Sequence, residues 1–311
     1  MQNPLGRLWS WAYDRPLLLA TITMICWAGN FVAARGVYQD VPPVTLAMFR
    51  WGGAFLVLLP FAWPHLKKDM AAIRRHWRPM LAFAFFGITC FNTLAYTGLQ
   101  YTVAMNAMLF QSSMPIIIAI LTFMLFRERP TLFQVLGVAV SLFGVCYVVV
   151  RGDLDVLLAL SLNKGDIWIL IAFVTWGIYT VLLRYKPGIH WLSFLAATFL
   201  AGFVILSPFW VAELASGRDI VWSWRAGGAI FYVALFPSVI AYACYNRAIE
   251  LAGGNRIAPL FHLVPVIGSF MAVAILGEQL RFYHIFGFAV VMSGIALTNR
   301  RRDRRAASSQ G

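Results

Sequence analysis

The side chains with chemistry to offer lie inside long apolar runs. Trp27 and Asn30 sit about one helical turn apart, as do Asn92 and Tyr96. Gln111 with Ser112, then Trp176, Tyr179 and Thr180, then Tyr242, Tyr245 and Asn246, and finally His262 complete the set. Polar groups in lipid are costly and turn toward a bundle interior or a wet cavity. Together these groups can bind. Aromatic faces stack on an apolar or aromatic side chain, while amides and hydroxyls meet the charged ends of a zwitterion. Bond-making chemistry has no support: the chain has no H-E-x-x-H, no G-x-S-x-G, no P-loop and no aspartate past the first residue of an apolar span. The reading is therefore not an enzyme and not a primary pump, with no cofactor and no metal.

Each residue also has a plainer reading. Trp and Tyr anchor helices at membrane interfaces, and Asn and Gln join helices by hydrogen bonds. Asn106, at a helix end, fits a cap. His262 could sense protons near neutral pH or be a hydrogen-bonded structural residue. Arg50, about two turns inside the second span, could snorkel outward, pair with a substrate carboxylate, or bond backbone carbonyls. Pro115 and Pro265 each remove a backbone donor at matched depth and could act as gating hinges. Glu128 and Glu278 begin short loops, where capping or folding is the expected job.

The elements that must position these residues follow from composition. Hydrophobic residues make up 61% of the 311 and charged residues 12%, with mean hydropathy +0.75, whereas a soluble domain is about 25% charged. Lipid accepts that much apolar surface, and the continuous, non-alternating runs make the spans helices. Windows of about 20 residues predict spans near 17–37, 44–63, 79–100, 103–126, 132–150, 166–184, 191–212, 228–249, 255–276 and 282–299. Pro42-Pro43, Pro64, Pro130, Pro187-Gly188 and Gly253-Gly254 separate them, and Thr131 with Gln134 offers a capping box for the fifth. The net charge of +13 comes from short basic clusters between apolar runs, which are topology signals and not a nucleic-acid surface. With both termini inside, eighteen of the 25 lysines and arginines fall on the inner face, the bias expected of cytoplasmic loops. Cys26, Cys90, Cys146 and Cys244 all lie in apolar runs, which argues against a disulfide or zinc framework.

The chain also repeats itself. A shift of 150 aligns Pro115 with Pro265, Glu128 with Glu278, Gly137 with Gly287 and Gly144 with Gly294, and a shift of 149 aligns Trp27 with Trp176 and Arg35 with Arg184. Five spans is an odd number, so the second half inserts upside down, an architecture of secondary transporters with the substrate site between halves. The expected fold is all-α: a polytopic membrane protein of ten transmembrane helices in two inverted five-helix repeats, N-in and C-in. The repeats occupy 1–150 and 151–299, and the basic tail 300–311 is expected to be disordered. Gly137, Ser141 and Gly144 form one small-residue face, and Gly287 with Gly294 form its partner.

Trp27-Ala28-Gly29-Asn30-Phe31 resembles the W-G-x-N-F opening of EamA-domain proteins. The stretch from Ala104 through Pro115 to Arg127-Glu128-Arg129 resembles that family's A-x-x-A…P…G-E-R-L segment, and Val264-Pro265 through Gly277-Glu278-Gln279-Leu280 repeats it. The chain is thus similar to the drug/metabolite transporter superfamily, most of all to YddG-type exporters of aromatic and neutral amino acids. The resemblance implies a secondary exporter in the cell (inner, cytoplasmic) membrane, working by alternating access through a central cavity. It also implies that helices one, three, four, six, eight and nine line the pathway. A lipophilic-cation or drug exporter is the alternative, but the glutamate that small multidrug relatives carry in their first helix has no counterpart here. The expected partners are a small-molecule substrate and the bilayer, with a monomer sufficient.

Overall fold

A computed structural model describes residues 13–102, 107, 110–150, 155, 163–276 and 282–308. Among these, all regular structure is helical. Six helices are long and apolar enough, by length and composition, to cross a membrane. The elements are α1 (Pro16–Gly36), α2 (Pro43–Arg75), α3 (Trp77–Tyr101), α4 (Met114–Phe126), α5 (Leu132–Val149), α6 (Lys164–Leu182), α7 (Trp191–Ala215), α8 (Trp224–Ala252), α9 (Leu263–Leu276) and α10 (Phe282–Ser308). Glu278 and Asn106, singled out above, lie outside the described residues.

Helix starts follow local chemistry. Pro16, Pro43 and Pro115 occupy the first turns of α1, α2 and α4, where a missing N–H costs nothing. Asn163 and Asp166 form a reciprocal capping box at α6, and Thr131 with Gln134 forms the one expected at α5. Arg127, at φ 59, and Gly253, at φ 78, terminate α4 and α8. Two segments depart from expectation. Pro64 does not end α2, which runs on to Arg75; a proline removes only the bond to the carbonyl four residues back, and the Lys- and Ala-rich stretch that follows favours helix. The basic tail likewise continues α10 to Ser308.

The principal packing pairs are α5 with α10, α3 with α6, α2 with α7, α1 with α8, α3 with α7 and α2 with α8, followed by α1 with α9 and α6 with α4. Large apolar side chains such as Leu56, Phe61, Phe143, Phe209 and Phe231 remain exposed on the outside of the bundle, as lipid-facing helices require. Polar contacts collect at two opposite ends. At one, Arg184 meets Glu128, Lys186 meets Glu250, and Arg247 meets Asp14. At the other, Arg35 Nη1 donates to Leu99 O at 2.8 Å and Thr102 Oγ1 donates to Asp166 Oδ1 at 2.6 Å.

That second end contains a buried carboxylate with a structural task. α2 has no side-chain cap of its own. Glu213, from the end of α7, supplies one, accepting from Val44 N (3.1 Å), Thr45 N (2.7 Å) and Thr45 Oγ1 (2.8 Å). An anion at a helix N-terminus is favoured by the helix dipole as well. Glu213→Ala should therefore lower stability by about 2 kcal/mol, since buried donors are left unmade, while Glu213→Gln retains an acceptor and loses less. Thermal melting in detergent checks the order.

Candidate functional site

Two helices are interrupted by a π-turn, α3 at 84–90 and α8 at 235–240. Such bulges are rare and concentrate at functional sites. In α8 the cause is partly visible: Pro237 has no N–H, and Ser238 Oγ donates to Val233 O at 2.7 Å. The bulge leaves the Pro237 carbonyl to accept from Trp27 Nε1 at 3.1 Å and from Arg50 Nη2 at 3.1 Å. In α3 the Gly87 carbonyl accepts from Tyr242 OH at 2.5 Å. Gly87 must be glycine, because a Cβ there would collide with the Tyr179 ring.

Around these turns the predicted residues assemble in two groups. The first is aromatic. Trp27 lies 4.9 Å from Trp176, centroid to centroid, nearly perpendicular to it, 5.1 Å from Tyr245 and 5.7 Å from Phe261, on which it stacks. Trp176 in turn contacts Tyr179 at 4.8 Å, Tyr242 at 5.3 Å, Tyr245 at 5.3 Å and Phe91 at 4.8 Å. The hydroxyls are satisfied: Tyr179 OH donates to Asn246 Oδ1 at 2.8 Å, and Tyr245 OH lies 2.7 Å from Thr180 Oγ1. Trp176 Nε1 and Asn246 Nδ2 are buried without a partner. Among the described residues Trp27, Trp176, Tyr179, Tyr242 and Tyr245 are all buried against one another, which leaves no open space at this cluster.

The second group surrounds Arg50, 1% exposed. Its Nη1 donates toward Asn30 Oδ1 (3.1 Å), Asn92 Oδ1 (2.7 Å) and Tyr96 OH (2.7 Å), and Tyr96 OH donates to Asn30 Oδ1 at 2.9 Å. Nε donates to Ser238 Oγ at 2.7 Å. Arg50 thus bonds interior acceptors and does not snorkel outward.

The other predicted residues lie apart. Both ring nitrogens of His262 are engaged, Nδ1 with Ser141 Oγ at 2.5 Å and Nε2 with Ser112 O at 2.8 Å. A carbonyl can only accept, so Nε2 carries a proton, and the ring ties α5 and the start of α4 to the turn before α9. Gln111 is buried with Oε1 unpartnered, and no described hydrogen bond joins it to either group. Pro115 and Pro265 each fall in the first turn of their helix, Pro115 as the second residue of α4 just after a turn at 112–113 and Pro265 as the third of α9. A 3-10 turn, Ala258–His262, precedes α9. Sequence reasoning missed Pro237 and Ser238. A proline followed by a serine within an apolar run was the available signal.

The end bearing the ion pairs holds a stacked histidine pair. His65 and His190 lie 3.6 Å apart at 6°, and Asp69 Oδ2 accepts from His190 N at 2.9 Å. Burial first, then the charge of His65, pushes the His190 imidazole below its ordinary value; Asp69 opposes this and Lys186 adds to it. The folded protein therefore prefers the neutral ring. Its contribution to stability is complete above pH of about 6.5 and is lost as pH falls through that value toward the lower folded-state pKa. The melting temperature should drop between pH 7.5 and 5.5, and His190→Gln should flatten that drop; an unchanged slope would refute the coupling.

A sequence profile described as the EamA-like transporter family matches residues 15–150 and again 163–300. YyaM of Bacillus subtilis, described as an uncharacterized transporter, is 29% identical over 261 residues, spanning 81% of this chain and 83% of its own. An uncharacterized transporter of Archaeoglobus fulgidus is 26% identical, spanning 92% and 98%. A crystal structure shares the fold at a TM-score of 0.75 with 16% identity, over 94% of this chain and 98% of the other.

Proposed function

The chain belongs to the EamA-like transporter family and is a multi-pass membrane transporter of small substrates; we propose that it exports neutral and aromatic amino acids across the cell (inner) membrane. Ten spans form two inverted five-helix repeats, 1–150 and 151–299, with both termini cytoplasmic, and cargo crosses by alternating access between them. The profile's double match supports the repeats. So does the packing: α1 with α8 mirrors α6 with α3, and α1 with α9 mirrors α6 with α4. The two π-turns fall at equivalent places, and the polar pairs are exchanged between halves. Asn30 of α1 bonds Tyr96 of α3, whereas Tyr179 of α6 bonds Asn246 of α8.

The observation that carries the cargo assignment is the Trp27–Trp176 contact at the junction of the repeats, with Tyr242 and Tyr245 against the rings and the Asn30–Tyr96 and Asn246–Tyr179 pairs on neighbouring helices. It offers stacking faces beside groups that bond charged ends. The aromatic cluster alone would also suit a lipophilic cation. Among the described residues that reading lacks a counter-charge: the buried carboxylates Asp166 and Glu213 are both occupied at helix starts. Purified protein in liposomes should exchange labelled phenylalanine, methionine or threonine in counterflow, above empty liposomes. Exchange of quaternary ammonium dyes without amino acids would favour the alternative. Loss of counterflow on imposing a pH gradient would bring in proton coupling.

A further inference from the structure

Arg50 carries a full charge into the centre of the bundle, yet all five of its acceptors among the described residues are neutral. No ion pair with a carboxylate is formed by it among the described residues. A buried cation without counter-charge is expensive, and neutral oxygens offset only part of that cost. The acceptors are also divided by origin. Nη1 is held by Asn30, Asn92 and Tyr96 from α1 and α3, so the guanidinium is anchored within the first repeat alone. The opposite edge, Nε and Nη2, faces only the α8 π-turn, through Ser238 Oγ at 2.7 Å and Pro237 O at 3.1 Å. Those two N–H vectors run in parallel and form the fork that takes both oxygens of a carboxylate. Two neutral oxygens from the second repeat thus occupy the place of a carboxylate.

We propose that the Nε/Nη2 edge of Arg50 is the carboxylate subsite for the transported molecule. This rests on the amino acid reading above and deepens it. When α8 draws away from α1 and α3, Ser238 and Pro237 leave the edge and the cargo carboxylate replaces them, supplying the missing negative charge. Trp27 is the neighbour of that subsite, because its indole N–H shares the Pro237 carbonyl with Arg50. The same displacement frees Trp27 to face the cargo side chain. Arg50 is then both the reporter of α8 position and the reason a carboxylate favours the opened arrangement.

The test compares phenylalanine with phenylalaninamide, which keeps the ring and ammonium but lacks the carboxylate. In wild-type liposomes, unlabelled phenylalanine should drive counterflow about tenfold better than the amide, the scale of one charge-assisted hydrogen-bonded contact. Arg50→Lys should keep that preference with a raised KM, and Arg50→Gln should erase it. Ser238→Ala removes one placeholder and should lower KM for phenylalanine while leaving the amide unchanged; a merely structural Arg50 would give a less stable protein with no such split. This variant decides the matter if Arg50→Gln does not fold. Equal use of acid and amide by wild type, or a full preference retained in Arg50→Gln, would overturn the proposal. If wild type moves no amino acid, that reading falls separately. The subsite is then decided by whether benzoate raises the melting temperature of wild type more than that of Arg50→Lys and Ser238→Ala alters the shift; identical shifts in all three overturn it.

Discussion

Trp27→Ala and Trp176→Ala will each slow amino acid counterflow by roughly ten- to a hundredfold, and the corresponding phenylalanine substitutions will differ from one another. Truncating a buried tryptophan to alanine removes about 3–5 kcal/mol of packing, and here the packing lost is the contact between the two repeats. Trp27 touches Trp176, Tyr245 and Phe261, and Trp176 touches Tyr179, Tyr242 and Phe91. If about half of that energy is expressed in the loaded state, the rate falls by roughly one to two orders of magnitude. The phenylalanine variants separate ring from N–H. Trp27→Phe loses the bond to Pro237 O and leaves that carbonyl to Arg50 alone, so it should slow transport by about tenfold. Trp176→Phe removes an N–H that is already unpartnered and should cost less. Transport rates normalised to folded protein check the order. Alanine variants that match wild type would remove both tryptophans from the site.

The asymmetry between these residues marks where sequence reading reaches its limit. The repeat identifies Trp27 and Trp176 as equivalents, and helical spacing places Asn30 and Tyr96 on interior faces. Both facts are local, and both residues sit where the spacing implies. What surrounds Arg50 is not local. Its Ser238 and Pro237 partners lie 188 and 187 positions away, and no periodicity couples α2 to a turn in α8. The α3 π-turn is equally silent in sequence, because an apolar run of the same composition supports an unbroken helix, whereas the α8 turn carries Pro237-Ser238 as its signal. Pro115 and Pro265 were legible as breaks but not as starts: whether a proline kinks a helix or begins one depends on the preceding turn, as with Ala258–His262 before α9. Helix ends with capping residues, such as Thr131 with Gln134, were readable because the signal lies within one turn.

Gly294→Ala tests the other half of the architecture, the α5–α10 pair, and should be among the more destabilising glycine-to-alanine changes of the described residues. A Cβ at 294 would lie 2.5 Å from Ser141 N and 2.6 Å from Gly137 O. Both obstacles are backbone, so no side chain can rotate away and the helices must separate. Overpacking of this kind costs about 1–3 kcal/mol. Separation also disturbs a second layer, since Ser141 holds His262 Nδ1 at 2.5 Å and thereby ties α5 to the turn before α9. The small residues at 137, 141, 144, 287 and 294 thus serve packing: close backbone approach replaces the hydrophobic drive that lipid cannot supply between helices. Gly228 is the matched control, because it lies in α8 with open space around its Cβ position, and Gly228→Ala should stabilise by about 0.5–1 kcal/mol. Opposite shifts in melting temperature for the two glycine-to-alanine changes are expected. The aromatic cluster has no member on α5 or α10, so Gly294→Ala protein that remains folded at low temperature should keep the wild-type KM. A changed KM would mean that this pair takes part in binding and does more than support it.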